Sequence, residues 1–143
     1  GWPIGVMIDN EKGNCWQAAK DGLINVQNVW LADCDIVGSD MNKQYKDSLA
    51  LDYKAKTFDP AAKHSFSTDW FLAQKGNQTK DLSALAMSAN AYIPTASSPV
   101  LTAADFTSSA LKDMEKVSFL GACDADAAWL SGWTNFDPQN TDY

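Results

Sequence analysis

The sequence contains no arginine: its eleven basic residues are all lysines, set against eighteen acidic residues, and the formal net charge is −7. Arginine supplies the planar, bidentate group with which proteins recognise phosphate, carboxylate and guanine. Its absence and the negative charge argue against nucleic acid and anionic membrane surfaces as partners. No apolar run approaches the ~20 residues of a membrane-spanning helix. We therefore predict no nucleic-acid partner and no membrane span.

Motifs of the common chemistries are also missing. The chain has no Gly-rich phosphate loop, dinucleotide fingerprint or nucleophile elbow. We interpret its single histidine, His64, as a loop residue, because sequence neighbours seldom form a catalytic triad. The three cysteines, Cys15, Cys34 and Cys123, form no CxxC pair, which excludes the usual zinc and thioredoxin spacings. Whether two of them form a disulfide stays open.

The composition and the pattern of apolar residues indicate a folded protein. Of 143 residues, 45% are hydrophobic and 20% charged, as in folded soluble domains. The clearest strand signal is the alternation of apolar and polar residues along residues 23–39, with a corner at Asn28. The opening residues 4–9 also indicate a strand. Two strand units about 20 residues apart favour stacked coils over a hairpin.

Helical signals are fewer. Residues 42–58 are polar and Lys-rich, and predict a short helix or an ordered excursion. Residues 67–76 predict a helix that Ser67 or Thr68 caps and Gly76 ends. Beyond Thr79, serine, alanine, threonine and proline predict an extended segment lying across a surface.

Four motifs occur in order along the chain: GWPIGVMID, WF, SSPVLTAADF and FLGACDADAAWLSGWTNFDPQNTDY. In these the chain resembles the C-terminal part of a family of secreted and cell-surface, lipoprotein-like proteins of Bacteroidetes-type bacteria. It departs from the family pattern at Cys123, where phenylalanine is usual, and at Ala128, where aspartate is usual. The resemblance implies a mainly β fold, the C-terminal coils of a right-handed parallel β-helix with a Trp-rich cap. It also implies an extracellular or outer-cell-surface location.

On this interpretation, residues 1–40 form the final coils, 41–78 a helical or loop excursion, and 79–143 an extended segment and the cap. The whole is one domain and a fragment of a longer chain, whose upstream coils are its first partner. We expect Val6 and Ile8 to pair with an adjacent coil and to share a core with Ile24 and Val26.

Six tryptophans are many for this length, and exposed indole faces stack on sugar rings. Trp16, in a polar loop, is the candidate ligand-binding residue. Trp129 and Trp133 lie four residues apart, which would place them on one side of a helical turn. For that pair we favour a role in capping the solenoid over a sugar site.

Two acidic pairs, Asp33 with Asp35 and Asp124 with Asp126, alternate along segments expected to be extended, so each pair could share one face. We interpret them as solvated carboxylates. The leading alternative is a calcium site, since Ca²⁺ prefers several oxygen ligands, and a third is acid–base work in glycoside cleavage. Apart from this calcium, no cofactor is expected.

The function favoured by these observations is that of a non-catalytic extracellular surface protein, which binds a glycan or another cell-envelope protein. One alternative is a polysaccharide-degrading β-helix enzyme, a lyase or hydrolase, with its active groove mostly on upstream coils. A further alternative is a structural spacer. A fold of this kind serves all three roles, so it does not decide among them.

Overall fold

The computed structural model describes residues 4–10, 13–39, 66–89, 92–130 and 132–142. The predicted excursion at residues 42–58, the corner at residues 1–3 and His64 lie outside these ranges. The chain divides into two compact units, Gly1–Thr79 and Lys80–Tyr143. The longer elements, in chain order, are β1 (Ile4–Asp9), α1 (Cys15–Lys20), β2 (Trp30–Ala32), β3 (Asp35–Ser39), α2 (Phe66–Ala73) and β4 (Gln78–Lys80). They are followed by short 3₁₀ helices at Leu82–Leu85, Pro99–Thr102, Ser109–Leu111, Ala128–Leu130 and Pro138–Asn140.

The opening strand pairs in parallel with β3, with Val6 opposite Ile36. Its residues alternate between half-buried and exposed, as the sequence pattern predicts for a strand with one buried face. Val6, Ile8 and Val26 pack against the core of this unit. Val6 and Ile8 do pair with a parallel strand, but that strand is β3 of a two-stranded sheet and not an adjacent coil. Ile24 is 38% exposed and does not share that core as expected.

The prediction of a right-handed parallel β-helix, with a cap that closes it, is wrong. In the described part of the chain the strands form two two-stranded sheets, β1 with β3 and β2 with β4. Neither sheet closes or continues as a solenoid, and short helices join them in a small mixed α/β arrangement.

The backbone of residues 23–39 is interrupted twice. Asn28 and Asp33 have φ values of 58° and 49°, the left-handed region that interrupts a strand. The conformation of Asn28 suits the predicted corner, but the second interruption at Asp33 was not foreseen. Only β2 and β3 therefore form from what the alternation presented as one long strand signal.

The core of the first unit lies where the helices cover the β1–β3 sheet. In α1, Trp16 and Ala19 are buried on one side, and in α2 Trp70 and Phe71 are buried. The Trp70 indole N–H donates a hydrogen bond to the Ala19 carbonyl oxygen at 3.1 Å. Half-buried residues surround this cluster: Val6, Ile8, Val26, Val29, Leu31 and Phe66.

The predicted helix is present, but it spans Phe66–Ala73. Ser67 and Thr68 therefore lie within it, and the prediction that one of them caps it is wrong. Gly76 follows it with a φ of 75°. A Cβ atom at this position would lie 2.8 Å from the Oδ1 atom of Asn28, so only glycine allows the two turns to approach. Asn77, the next residue, joins the helix to the segment around Asn28 by hydrogen bonds. Its Oδ1 atom accepts from the Val29 amide at 2.9 Å, and its side-chain amide donates to the carbonyls of Val26 and Phe71.

The second unit is built from turns, not from a sheet. Its described buried apolar residues are Leu85, Val100, Cys123 and Ala127. The 3₁₀ helices at Pro99–Thr102 and Ser109–Leu111 each follow a serine whose hydroxyl oxygen accepts an amide hydrogen bond from the first turn. The motif SSPVL therefore has a structural role: Ser98 caps a helical turn that Pro99 begins.

Candidate aromatic binding surface

Trp16, the residue proposed from the sequence as a sugar platform, is fully buried. Its ring stacks on Phe66 with centroids 5.4 Å apart, and its indole N–H donates to the Ile8 carbonyl at 3.3 Å. Asn10 holds the start of this helix, because its Oδ1 accepts from the Trp16 amide at 3.2 Å. The ring has no exposed face for a ligand, so Trp16 serves the packing of the first unit.

Asp33 and Asp35 do not have the geometry assumed for them. The one-face arrangement needs extended backbone, whereas Asp33 is exposed and left-handed. Asp35 is half-buried and begins β3. The two carboxylates therefore belong to different local structures, a bend and a strand.

Asp124 and Asp126 lie in one turn of the second unit. The Asp124 Oδ1 atom accepts hydrogen bonds from the amides of Asp126 and Ala127, at 3.1 and 3.0 Å, as aspartates do at turns. The Asp126 side chain is exposed. Among the described residues, no three or more His, Cys, Asp or Glu side chains group as a metal site. Calcium binding at either pair stays a prediction.

All three cysteines are free thiols: Cys15 is exposed, Cys34 half-buried and Cys123 buried. Trp129 lies in a 3₁₀ helix, with its side chain outside the described part of the structure. Trp133, expected to pack as part of a cap, is instead 69% exposed. Of the tryptophans whose side chains the structure describes, it is the one that presents most of its ring to solvent.

Trp133 belongs to a segment, residues 132–142, that we call the aromatic loop. Phe136 in the same loop is 46% exposed. The backbone around Phe136 forms an Asx turn, in which the Asn135 Oδ1 atom accepts a hydrogen bond from the Asp137 amide at 2.8 Å. The Thr134 amide donates to the Leu130 carbonyl at 3.2 Å, closing the turn that contains Trp133. Both aromatic residues therefore lie inside hydrogen-bonded turns.

Four polar side chains close the aromatic loop on itself. The Asn140 amide donates to both carboxylate oxygens of Asp137, at 2.9 and 3.1 Å. The Thr141 hydroxyl donates to the Asp137 carbonyl at 2.7 Å and accepts from the Asn135 amide at 3.0 Å. These bonds join residues of the loop to one another.

An exposed aromatic ring on an ordered loop is suited to binding. Aromatic rings supply a large apolar contact area at low conformational cost. A loop that is ordered before binding loses less entropy when a ligand arrives. The arrangement can therefore hold a ligand with a flat apolar face, such as the C–H face of a sugar ring.

Phe136 was not among the candidate residues predicted from the sequence, and the prediction that Trp133 packs in a cap does not agree with its 69% exposure. A signal was present in TNFDPQNT, where Asn, Asp and Thr surround a single aromatic residue and a proline. Such residues bond to nearby backbone and favour compact turns over buried strands. An aromatic residue within such a turn has few apolar neighbours in sequence, which indicates exposure.

Comparisons with models of known protein families, with curated protein sequences and with solved structures find no match to this chain. In the part of the chain that the structure describes, no helix is long and apolar enough to cross a membrane.

Proposed function

We propose that this protein is a non-catalytic binding protein of the cell surface or extracellular space, and that it binds neutral glycans through the aromatic loop. The observation that carries this proposal is the 69% exposure of Trp133 in a loop that Asn135, Asp137, Asn140 and Thr141 hold by hydrogen bonds. The resemblance of the GWTNFDPQN tail to surface proteins supports the location.

The charge of the chain selects the kind of glycan. The net charge is −7 and the chain has no arginine. Within about one Debye length of its surface, the protein therefore repels polyanionic polysaccharides. Asp137, at the centre of the aromatic loop, adds a carboxylate beside the exposed rings. We therefore expect neutral polysaccharides to bind, and uronate-rich or sulfated ones to bind weakly.

The proposal is tested by isothermal titration of the full chain with a panel of neutral and acidic oligosaccharides. A neutral member should bind, and Trp133→Ala should weaken it about tenfold, or ~1.4 kcal/mol, because the main stacking face is lost. Phe136→Ala should weaken it less, since Phe136 is more buried.

The matched control is Leu23→Ala, which removes apolar surface from a residue that is 78% exposed in the first unit. It should leave binding unchanged. If no neutral glycan binds, or if Trp133→Ala binds as tightly as the unaltered chain, the proposal is wrong. Binding of an isolated envelope protein that Trp133→Ala abolishes would assign the loop to a protein partner instead.

A further inference from the structure

A second feature of the Lys80–Tyr143 unit is a groove whose described lining comes from residues 82–89 and from Tyr92. Its volume is about 360 Å³, and its lining is mostly apolar, with Leu82, Met87 and Tyr92 as the large side chains. This volume lies at the lower end of the range of small-molecule sites. Leu82 is 41% and Tyr92 68% exposed, so the groove is open to solvent on one side.

Two residues of the groove have an unusual backbone. Ala86 and Tyr92 have φ values of 48° and 52°, a region that residues with a Cβ atom rarely adopt. Such strain persists only where surrounding bonds impose it, and it concentrates at ligand sites. At Ala86 and Tyr92 the chain therefore turns sharply at two points of the groove.

The bonds that impose this shape are present. The Ala86 carbonyl accepts from both the amide and the hydroxyl of Thr95, at 3.0 and 2.8 Å. Ser88 bonds to the residues on the Tyr92 side: its carbonyl accepts from the Tyr92 amide at 3.2 Å, and its Oγ accepts from the Ile93 amide at 3.1 Å. The groove is thus held open by hydrogen bonds on either side of the strained residues.

The lining defines the chemistry of the ligand. It contains no charged residue, and its polar side chains are the hydroxyls of Ser83 and Ser88. The Ser88 oxygen accepts from the Ile93 amide, and the hydroxyl can also donate its own hydrogen to a ligand hydroxyl. An open apolar groove with hydroxyl groups suits a ligand that has one apolar face, keeps its other face in water and carries no charge.

We propose that this groove binds a single ring of a neutral sugar, whose C–H face lies against Tyr92 and whose hydroxyls contact Ser83 and Ser88. The ligand class rests on the proposed function, and the groove is a separate subsite from the aromatic loop. A polysaccharide would then contact the unit at more than one ring, and each subsite would raise the overall affinity.

The experiment is a titration of the full chain, labelled with ¹³C at its methionine methyl groups, with methyl β-glucopyranoside as the probe. The Met87 signal should shift saturably with a Kd of order 1–10 mM. The signal of Met114, an exposed methionine of the same unit, should not move. Tyr92→Ala should weaken binding at least about tenfold, whereas Tyr92→Phe, which keeps the ring, should bind as the unaltered chain does.

Three outcomes would overturn the inference: no saturable shift at Met87, an unchanged Kd in Tyr92→Ala, or saturation by hexanol without any response to the sugar. Because Tyr92 is exposed, its truncation should leave the unfolding midpoint unchanged. The Trp133→Ala variant separates the two proposals. If it abolishes polysaccharide binding and keeps the Met87 response, the groove is a distinct subsite; if it abolishes both, the separate subsite is wrong. A Met87 response without any effect of Trp133→Ala on polysaccharide binding would reject the aromatic loop and keep the groove.

Discussion

Among the described residues, the most buried aromatic side chains lie in one unit of the chain and the most exposed ones in the other. In Gly1–Thr79, Trp16 and Phe71 are fully buried, and the surrounding helices and strands pack on them. In Lys80–Tyr143, Tyr92 and Trp133 are each more than two-thirds exposed, and polar side chains bonded to nearby backbone order the segments that carry them. The first unit is stabilised mainly by buried apolar surface, and the second by hydrogen-bonded turns.

This difference explains where function can lie. An aromatic residue that provides the core cannot be offered to a ligand without loss of stability. A unit whose turns are closed by Ser, Thr, Asn and Asp can leave its aromatic rings at the surface, where binding residues concentrate. The contrast makes Lys80–Tyr143 the binding unit of our proposal.

The largest effect should come from Trp16→Ala. The variant removes a fully buried ring stacked on Phe66 and leaves the Ile8 carbonyl without its indole partner. We expect a loss of about 3–5 kcal/mol in the free energy of unfolding, the usual cost of a buried tryptophan. Chemical denaturation measures it, with hydrogen exchange of first-unit amides to locate the change.

The matched control is Trp133→Ala, which removes the same side chain from an exposed position. It should change the free energy of unfolding by about 1 kcal/mol or less. Equal losses for the two variants would erase the distinction between the units, and with it the reason to assign Trp133 to binding.

A smaller but still large effect is expected for Asn77→Ala. Asn77 is buried, and it bonds to the Val29 amide and to the carbonyls of Val26 and Phe71. Its removal leaves buried backbone groups without a partner, which costs about 1–3 kcal/mol for each group that water cannot reach. We expect a total loss of about 2–4 kcal/mol, measured by the same denaturation.

Asn25→Ala is the control for this variant, since Asn25 is exposed and bonds only locally, to the Gly22 carbonyl at 3.0 Å. It should cost about 0.5 kcal/mol. A loss from Asn77→Ala no larger than that of the control would show that the first unit depends on apolar packing alone. The two units would then differ more clearly, with apolar packing alone stabilising the first.

The sequence predicted single elements better than their assembly. The strand at Ile4–Asp9 and a helix near Trp70 that ends before Gly76 were both predicted, although Ser67 and Thr68 lie inside that helix and do not cap it. The β-helix was implied by a resemblance and by the spacing of two strand units, and neither determines how long the strands are or which of them pair. The corner at Asn28 is present, but a second left-handed residue, Asp33, ends β2 after three residues. The two short strands then pair separately, β3 with β1 and β2 with β4.

The site was harder to predict because exposure is a property of the folded chain. Trp16 has polar neighbours in sequence, yet it is buried, because Phe66 reaches it from 50 positions away. Trp133 sits in a tail that looked like a cap, yet it is exposed, because the bonds of Asp137 with Asn140 and Thr141 close the loop locally. The first outcome needs a long-range contact, whereas the second could be inferred from the local run of turn residues.

Leaving the control variants aside, the smallest loss of stability should come from Ser98→Ala, which tests whether polar side chains stabilise the second unit. The Ser98 hydroxyl donates to the Leu85 carbonyl and accepts from the Val100 amide at 3.4 Å, so one side chain joins two 3₁₀ helices. We expect a loss of about 1–2 kcal/mol, as for a helix cap with one buried partner. Hydrogen exchange should quicken at the amides of Val100 and Leu120 and stay unchanged at that of Trp16. The control is Ser97→Ala, at the exposed neighbouring residue, which should alter none of these rates. If Ser98→Ala behaves as this control does, polar side chains do not order the second unit. The exposure of Trp133 then needs another cause.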